Sequence, residues 1–472
     1  MPTEAALKTE RIRDPVHNVI EFKTGSDDFE HALWKVVQSR PFQRLRRVKQ
    51  LGFTDLTFPG ACHSRLAHSL GVFETSRRLA EVVNRHVVRF SLPKAQRALA
   101  AALVHDLGHG PFSHAFEAVG ERLKLKMANH EYVSDSLIRG SEVADAINSS
   151  LGSGAANDVA DIVAGSGEKT IYSAIVSSQF DADRLDYMRR DRMMTGIQSA
   201  AIDFEWLMVN LRVASVAYGV DEVKIGEVDT FVLGPKALHA AEGYVLGLFH
   251  LYPTVYFHKA TRGAEKLFTE LLSTMFLLAR DGGSVATGLP KTHPLIRFAR
   301  NPEDLDLALC LDDTVVWGAL SMMVDAKNPT LAKFSKRLRD RQLYKCVDVR
   351  PRIVKALADK DLSPAELVNR IAAIWKAIEA GLKDHMGNGV DEVPRIVADR
   401  ASRTPYKPIE ESKGPLNQVN IQTLDRGVVD LRTVSQVVEN LEPFNLLRLY
   451  VAADDAEAKA RIEKVLDMEI AA

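Results

Sequence analysis

Apolar residues recur at helical spacing along most of the chain. Between Ser64 and Phe90 they are three, four or six residues apart, which predicts one long amphipathic helix with a single buried stripe. Residues 94–106 are rich in alanine and predict a second helix, which the glycines and proline of the next segment end. Further helices are predicted over 171–194, 235–278 with a break at Pro253, 363–382 and 454–468. The periodicity therefore predicts an all-α (mainly α) fold.

Two segments have the character of β-structure instead. Ile12–Phe22 carries β-branched residues on both sides of an Asp-Pro turn, and Val213–Leu233 contains short β-branched runs separated by glycine-containing turns. We predict a small β-hairpin at each place. A loop rich in glycine and proline over 282–294 then suggests two domains, a core with the N-terminal hairpin over 1–280 and a mainly helical C-terminal lobe over 281–472.

Composition excludes several classes of protein. Of the 472 residues, 46% are hydrophobic, and 61 basic residues balance 62 acidic ones, so charge alone does not predict a nucleic-acid-coating protein. The three cysteines show no CxxC pattern, and no apolar run is long enough to cross a membrane. The first residues lack the pattern of a secretory signal. We expect a cytoplasmic protein without a membrane partner.

Histidines are concentrated in one part of the sequence. Half of the 14 lie between residues 63 and 130. His105 and Asp106 stand where the alanine-rich helix ends, and His109 and His114 follow on a glycine-containing turn. A single His-Asp pair would favour a capped helix end with exposed histidines. Two more histidines within nine positions favour a site that binds a ligand or metal ion instead.

Two flanking helices add charged residues at helical spacing. Arg65 and His68 lie three positions apart and share one helix face. Asp183, Tyr187 and either Arg190 or Asp191 do the same further along the chain. A solvated, salt-bridged helix would also explain the second set. The apolar neighbours of Tyr187 make full exposure of that face unfavourable.

These residues match a known signature. His68, His105-Asp106 and Asp183 resemble the H…HD…D pattern of HD-domain metal-dependent phosphohydrolases. The surrounding words, which include Phe-Gln-Arg-Leu-Arg, Lys-Gln-Leu-Gly, His-Asp-Leu-Gly-His-Gly-Pro-Phe-Ser-His and Asp-Tyr-Met-Arg-Arg-Asp, resemble the deoxynucleoside triphosphate triphosphohydrolases (dNTPases) of that family. The resemblance covers roughly residues 12–275 and implies an HD-domain helical bundle.

The resemblance implies one divalent metal ion. His68, His105, Asp106 and Asp183 would be its ligands. Two imidazoles and two carboxylates suit Mn, Fe, Co, Ni or Zn better than Mg. The ion would act as a Lewis acid on phosphorus and lower the pKa of bound water.

The resemblance also assigns catalytic and substrate-binding residues. His130, oriented by Glu117, would be the general acid, His109 would stabilise the transition state, and His114 would contact phosphate. Gln50 and Asp191 would bind the sugar 3′-hydroxyl, and Leu51, Tyr187 and Tyr256 would pack against the sugar. The cationic side chains at the polyphosphate would be Arg65, Arg184, His258 and Lys259.

The predicted reaction is hydrolysis of a dNTP to a deoxynucleoside and inorganic triphosphate. The alternatives are another HD-type nucleotide phosphohydrolase or phosphodiesterase, or a non-catalytic nucleotide-sensing or nucleic-acid-binding module. The resemblance implies a homo-oligomer, either a tetramer or a hexamer, with a nucleotide activator at a subunit interface. Gln38 stands where an acidic residue of a vertebrate relative reads guanine, so we expect no strict requirement for GTP.

Overall fold

A computed structural model describes most of the chain. The described residues are 8–25, 27–220, 223–280, 282–386, 394–404, 406–407 and 418–471, and the side chains of 217–220 and 223–225 are not included. The chain divides into two compact units. The first consists of residues 1–113, 126–251 and 405–442, and the second of residues 114–125, 252–404 and 443–472. This division differs from the sequence boundary at 280/281, because the helix Lys259–Arg280 packs within the second unit.

Helices form most of the first unit, as the sequence predicts. Polar side chains begin several of them; Ser64 and Ser91, for example, accept hydrogen bonds from main-chain N–H groups of the first turn. The α-helices of this unit are Asp28–Gln38, Arg40–Arg44, Arg65–His86, Leu92–Val104, His130–Gly140, Glu142–Leu151, Ala155–Ala164, Ile171–Ala174, Ala182–Thr195, Phe204–Asn210, Leu238–Leu251 and Gln436–Glu439.

Nine strands are present in the described residues. They are β1 (Glu10–Asp14), β2 (Asn18–Phe22), β3 (Leu211–Val220), β4 (Val223–Leu233), β5 (Lys345–Asp348), β6 (Ile396–Arg403), β7 (Asn420–Thr423), β8 (Gly427–Asp430) and β9 (Phe444–Val451). In the first unit, β1 pairs with β2, and a separate sheet has the order β3-β4-β7-β8. Both predicted hairpins are confirmed, although the turn of the second, at 221–222, lies outside the described residues.

The second unit combines helices with a small sheet. Its antiparallel sheet has the order β5-β9-β6, and its core includes Trp375, Ile378, Leu449 and Val465. The α-helices of this unit are His114–Leu123, Lys259–Arg280, Pro294–Arg300, Leu305–Ala308, Asp313–Met323, Pro329–Arg339, Arg350–Leu357, Pro364–Gly381, Lys383–Met386 and Ala456–Ala471. The mainly α class is therefore confirmed, but the sequence analysis did not predict the strands of this unit.

One predicted helix is wrong. The sequence predicts a single helix over 171–194, but the structure has two helices, Ile171–Ala174 and Ala182–Thr195. Asp181 explains the interruption, because its side chain accepts hydrogen bonds from the main-chain N–H groups of Ser178 and Arg184. A side chain that bonds the backbone in this way caps a new helix instead of continuing the old one.

The predicted break at Pro253 is confirmed. The helix Leu238–Leu251 ends just before it, and a π-helical turn over Tyr252–Tyr256 follows. Proline cannot donate a main-chain hydrogen bond to the preceding turn, which explains the interruption. Among the described residues, none of the helices has both the length and the apolar character that crossing a membrane requires.

A buried ion-pair cluster in the second unit allows a stability prediction. Asp399 of β6 is fully buried and accepts two hydrogen bonds from Arg262, and Lys266 lies 3.2 Å away. We expect Asp399→Asn to lower the free energy of unfolding by about 3 kcal/mol at pH 7, because the two cations lose their buried counter-charge. Urea denaturation measures the change. The matched control Asp340→Asn affects an exposed pair with Arg339 and should leave the midpoint unchanged.

The same carboxylate gives a dependence on pH. Burial acts to raise the pKa of Asp399, but hydrogen bonds and charge from Arg262 lower it below its ordinary value. A carboxylate with a lowered pKa stabilises the folded state above its unfolded pKa of about 3.9 and loses that contribution as the pH falls through the folded pKa. The stability difference between wild type and Asp399→Asn should therefore shrink below about pH 4. A difference that persists unchanged in acid would contradict this account.

Candidate metal centre

Helix ends bring the four predicted metal ligands together in the first unit. His68 lies in the first turn of Arg65–His86, and Asp183 lies in the first turn of Ala182–Thr195. His105 caps the C-terminus of Leu92–Val104, and Asp106 follows it directly. Side chains at a helix end can reach a shared point without breaking the main-chain hydrogen bonds of the helix. Local sequence therefore sets the ends, and helix packing makes them converge.

The ligand atoms of these residues are close to one another. His68 Nε2 lies 3.0 Å from Asp183 Oδ1, and His105 Nε2 lies 3.8 Å from the same oxygen. The Asp106 carboxylate is 3.4 Å from His105 Nε2 and 3.8 Å from His68 Nε2. Neighbouring ligands of one ion, each at roughly 2.1 Å, are separated by about 3.0–3.4 Å. His68, His105 and Asp183 are therefore spaced closely enough to hold one divalent metal ion, and the Asp106 carboxylate lies beside the two histidines.

His105 supplies a separate test of that fit. Its Nδ1 lies 2.9 Å from the Ala102 carbonyl oxygen, so this nitrogen is the donor. Its Nε2 is buried and has no hydrogen-bond partner among the described residues. A buried polar atom without a partner costs free energy, and a metal ion would satisfy it. The chemistry of His68, His105 and Asp183 as a group also suits a metal ion.

Charges around the cluster keep its carboxylates ionised. Burial acts to raise the pKa of Asp106, but Arg65, together with His105 and His109, holds that pKa well below its usual range. Burial also acts to raise the pKa of Asp183, but a hydrogen bond from His68 and the charge of His105 lower it below its ordinary value. Ionised carboxylates are the form that binds a metal ion.

Two carboxylates around His68 favour its protonated form. Burial opposes its charge, but hydrogen bonds to Asp183 and Asp186 raise its pKa to about 10. A metal ion at Nε2 would have to displace the proton that now bonds Asp183, so binding should release a proton.

The two predicted catalytic histidines of this unit lie side by side. The rings of His109 and His130 are stacked with centroids 4.0 Å apart, and His109 Nε2 is 3.3 Å from Asp106 Oδ1. Burial and the nearby Arg65 charge hold the pKa of His109 well below its ordinary value. This imidazole is therefore neutral near pH 7 and can donate one hydrogen bond.

The loop between these histidines and the metal ligands is held in place by specific contacts. Arg44 donates hydrogen bonds to the carbonyl oxygens of Leu107 and His109. A Cβ at Gly108 would lie 2.2 Å from the His130 carbonyl oxygen, so only glycine allows this close approach. The sequence analysis did not single out Arg44, because exposed arginines at 40, 46 and 47 surround it and no local signal distinguishes the buried one.

Two predicted phosphate-binding arginines form internal ion pairs in this structure. Arg65 pairs with Asp106 and donates a 2.7 Å hydrogen bond to Ser113 Oγ. Arg184 pairs with Asp181 and donates to the Ser178 carbonyl oxygen. These contacts involve Nε and Nη1 of Arg65 and Nη1 of Arg184, which is only part of the five N–H donors of each guanidinium. Their predicted role in binding polyphosphate stays a prediction.

The predicted sugar-binding residues Gln50 and Asp191 both contact His63. The main-chain N–H of Gln50 donates to the His63 carbonyl oxygen, and His63 Nε2 lies 2.8 Å from Asp191 Oδ1. The buried Gln50 Oε1 has no hydrogen-bond partner among the described residues. Tyr187 and Leu51 are partly buried. Sequence analysis gave His63 no role, although it belongs to the histidine-rich segment.

The remaining predicted residues belong to the second unit. His114 and Glu117 lie in the first turn of His114–Leu123, and His114 Nδ1 is 2.8 Å from Glu117 Oε2. Burial, together with the charges of Lys259 and Arg448, lowers the pKa of His258. Tyr256 ends the π-helical turn. The predicted roles of His114, Glu117, Tyr256, His258 and Lys259 stay predictions.

Comparison with known proteins places this geometry in a family. A model of the HD domain matches residues 65–191. The uncharacterized protein YwfO of Bacillus subtilis is 30% identical over 98% of this chain and 98% of its own length. The deoxynucleoside triphosphate triphosphohydrolase SAMHD1 homolog of Dictyostelium discoideum is 26% identical over 71% of this chain and 60% of its own length.

A solved structure supports the fold. The crystal structure of a phosphohydrolase from Bacteroides thetaiotaomicron superposes with a TM-score of 0.69 at 22% identity, covering 94% of this chain and 100% of that one. An HD domain with a His and Asp cluster that can hold a divalent metal ion indicates a metal-dependent hydrolase. The chain therefore belongs to the same family as YwfO, and its residues 65–191 form an HD domain.

Proposed function

We propose that this protein is a metal-dependent phosphohydrolase that converts a dNTP and water into a deoxynucleoside and inorganic triphosphate. The observation that carries the proposal is the contact between the metal cluster and an imidazole pair: His109 lies 3.3 Å from the ligand Asp106 and stacks on His130. Similarity to the Dictyostelium discoideum dNTPase homolog supports the choice of substrate.

Each group has a defined part in the proposed reaction. His68, His105, Asp106 and Asp183 would hold the metal ion, which supplies Lewis acidity at the α-phosphate and a bound water of lowered pKa. The neutral His109 donates a hydrogen bond to a phosphate oxygen as negative charge increases there. Water adds to the α-phosphorus and releases a proton to solvent, the bond from phosphorus to the 5′ oxygen breaks, and His130 donates a proton to that oxygen.

Product analysis tests the reaction. Full-length protein is incubated with each dNTP and Mn²⁺, and the products are resolved by anion-exchange chromatography. Equal amounts of deoxynucleoside and triphosphate are expected. Pyrophosphate or monophosphate as the product would favour another HD-type phosphohydrolase or phosphodiesterase. Nucleotide binding without turnover would favour a non-catalytic sensing module.

Sugar selectivity gives a second, quantitative test. We expect kcat/KM for dATP to exceed that for ATP by about tenfold to a hundredfold, because the aromatic rings that the resemblance assigns to the sugar would bury a 2′-hydroxyl without a partner, which costs about 1–3 kcal/mol. Tyr256→Ala should reduce the ratio by admitting the ribonucleotide, whereas the control Tyr256→Phe keeps the ring and should preserve it. Comparable kcat/KM values for dATP and ATP in the wild type would remove the dNTPase assignment.

Assembly and activation belong to the same proposal. We expect a homo-oligomer with a nucleotide site at a subunit interface. Gln38 ends the helix Asp28–Gln38, and it offers an amide where a guanine-reading carboxylate would be needed. Gln43 and Arg46 belong to the Phe-Gln-Arg-Leu-Arg segment, through which the resemblance would still allow some nucleotide to bind, and Arg46 donates a 2.7 Å hydrogen bond to Gln43. The proposal therefore includes no strict requirement for GTP.

A further inference from the structure

A second carboxylate lies behind the candidate metal ligands. Asp186 is three residues beyond Asp183 on the helix Ala182–Thr195, and both contact the ring of His68. His68 Nε2 is 3.0 Å from Asp183 Oδ1, and His68 Nδ1 is 2.9 Å from Asp186 Oδ2. The two carboxylates therefore lie at opposite ring nitrogens of one imidazole.

The surroundings of the two carboxylates differ. The Asp183 side chain is 35% exposed and belongs to the group that could hold a metal ion, whereas the Asp186 side chain is completely buried. Each Asp186 oxygen has two nitrogen partners. Oδ1 contacts His17 Nε2 at 2.8 Å and Arg190 Nη2 at 3.0 Å, and Oδ2 contacts His68 Nδ1 at 2.9 Å and Arg190 Nε at 2.8 Å. Asp186 is thus saturated as an acceptor and has no oxygen left for a metal ion.

The arginine in this group is anchored in turn. Arg190 is fully buried and also donates to Asp14, at the end of β1, at 2.7 Å and 3.2 Å. A Cβ at Gly71 would lie 2.0 Å from Asp186 Oδ1, so the helix that carries His68 approaches the carboxylate as closely as glycine permits. The position of Asp186 is therefore fixed from several sides.

We infer that Asp186 is a positioning residue for the metal centre, acting through His68. Arg190 can only donate, so both Asp186 oxygens act as acceptors; His68 Nδ1 is then the donor to Asp186, and Nε2 is the nitrogen that can present its lone pair to the ion. The contact also fixes the plane of the ring. The inference rests on the proposed metal centre but not on the substrate assigned to it.

Metal affinity of two matched variants tests the inference. Asp186→Asn keeps the shape of the side chain but offers His68 Nδ1 a weaker acceptor or, in the other amide orientation, a competing donor. Asp14→Asn makes the same chemical change to a buried partner of Arg190, but Asp14 contacts neither Asp186 nor His68 in the structure. Mn²⁺ affinity is measured by calorimetry without nucleotide, and the absorption spectrum of the Co²⁺-loaded protein reports the geometry of the ligands.

We expect Asp186→Asn to weaken Mn²⁺ binding by about 10–100-fold and to change the Co²⁺ spectrum. The Mn²⁺ affinity of Asp14→Asn should stay within about threefold of the wild-type affinity, and its Co²⁺ spectrum should be unchanged. This should hold even if its thermal stability falls by as much as that of Asp186→Asn. Equal affinities in the two variants would overturn the positioning role while leaving the metal centre intact. Failure of the wild type to bind Mn²⁺ or Co²⁺ would instead reject the metal centre, and this inference with it.

Because burial makes Asp186→Asn vulnerable to misfolding, His17→Gln provides a second measurement. His17 contacts Asp186 Oδ1 but not His68, and glutamine can still donate to that oxygen. We expect this variant to retain wild-type Mn²⁺ affinity to within a few-fold, because the acceptor at His68 Nδ1 is kept. A loss of Mn²⁺ affinity as large as that predicted for Asp186→Asn would show that any change among the residues around Asp186 weakens metal binding. That result would overturn the specific role of Asp186.

Discussion

Replacement of His105 by alanine is expected to abolish metal binding and to lower kcat/KM by at least a thousandfold. A bound metal ion would stabilise the transition state by several kcal/mol, and each 1.36 kcal/mol corresponds to a tenfold change in rate. Removing one of four ligands leaves the Asp106 and Asp183 charges without the ion that the cluster is spaced to hold. Metal content after dialysis and steady-state kinetics measure the two effects.

The fold of this variant should survive. His105→Ala loses the hydrogen bond from Nδ1 to the Ala102 carbonyl oxygen, but it also removes the buried Nε2, which has no hydrogen-bond partner among the described residues. Without metal, the midpoint of thermal unfolding should therefore stay near that of the wild type. Mn²⁺ at about 100 times its Kd should add about 2.7 kcal/mol to the stability of the wild type and nothing to that of the variant.

The control for His105→Ala is His86→Ala. His86 also ends a helix and bonds a main-chain carbonyl through Nδ1, but it is exposed and lies outside the cluster. It should keep wild-type activity and metal content. Retention of more than about a tenth of the wild-type kcat/KM by His105→Ala would reject the metal centre as described.

Gly71→Ala, which adds a single methyl group, should strongly lower the stability of the folded protein. The added Cβ would lie 2.0 Å from Asp186 Oδ1 and 2.2 Å from Arg190 Nη2, both fully buried. Overpacking costs about 1–3 kcal/mol, and separating a buried ion pair costs more. We expect the free energy of unfolding, measured by urea denaturation, to fall by about 4 kcal/mol.

Gly243→Ala is the matched control for this substitution. Gly243 also lies within a helix, Leu238–Leu251. A Cβ there would meet no heavy atom of the described residues within 4 Å, apart from its chain neighbours and the backbone of its own helix. Alanine is favoured over glycine inside helices, so this variant should be about 0.5–1 kcal/mol more stable than the wild type. If Gly71→Ala lowers the free energy of unfolding by less than about 1 kcal/mol, Gly71 does not pack closely against Asp186 as described.

The comparison of sequence with structure is clearest at two aspartates. Asp183 and Asp186 occur three positions apart in one charged stretch, and spacing alone gives both the same helix face. The resemblance selects Asp183 as a metal ligand and includes Asp186 in a matching segment without assigning it a role. Only the packed structure gives Asp186 four nitrogen neighbours from three separate segments of the chain. No local pattern contains that information, because His68 and Asp186 are 118 residues apart.

The partner of an arginine is also not predictable from local sequence. Sequence chemistry correctly identifies Arg65 as a cation on the face of His68, but it cannot tell whether the partner is a phosphate or a carboxylate of the same chain. In the structure its guanidinium pairs with Asp106, 41 residues away. Strands β5, β6 and β9 went unpredicted for a related reason. Each of them is stabilised by pairing with a distant strand, and their short sequences carry little alternation of their own.

By itself, the sequence determined the mainly helical class, both hairpins and a histidine and aspartate cluster that could hold a metal ion, because helical periodicity, turn residues and ligand chemistry are properties of short segments. The tertiary structure alone decided that Asp106 pairs with Arg65, that His63 joins Gln50 to Asp191, and that Gly71 leaves room for Asp186. Those contacts depend on how distant helices pack, and packing joins residues whose separation along the chain leaves no periodic signal.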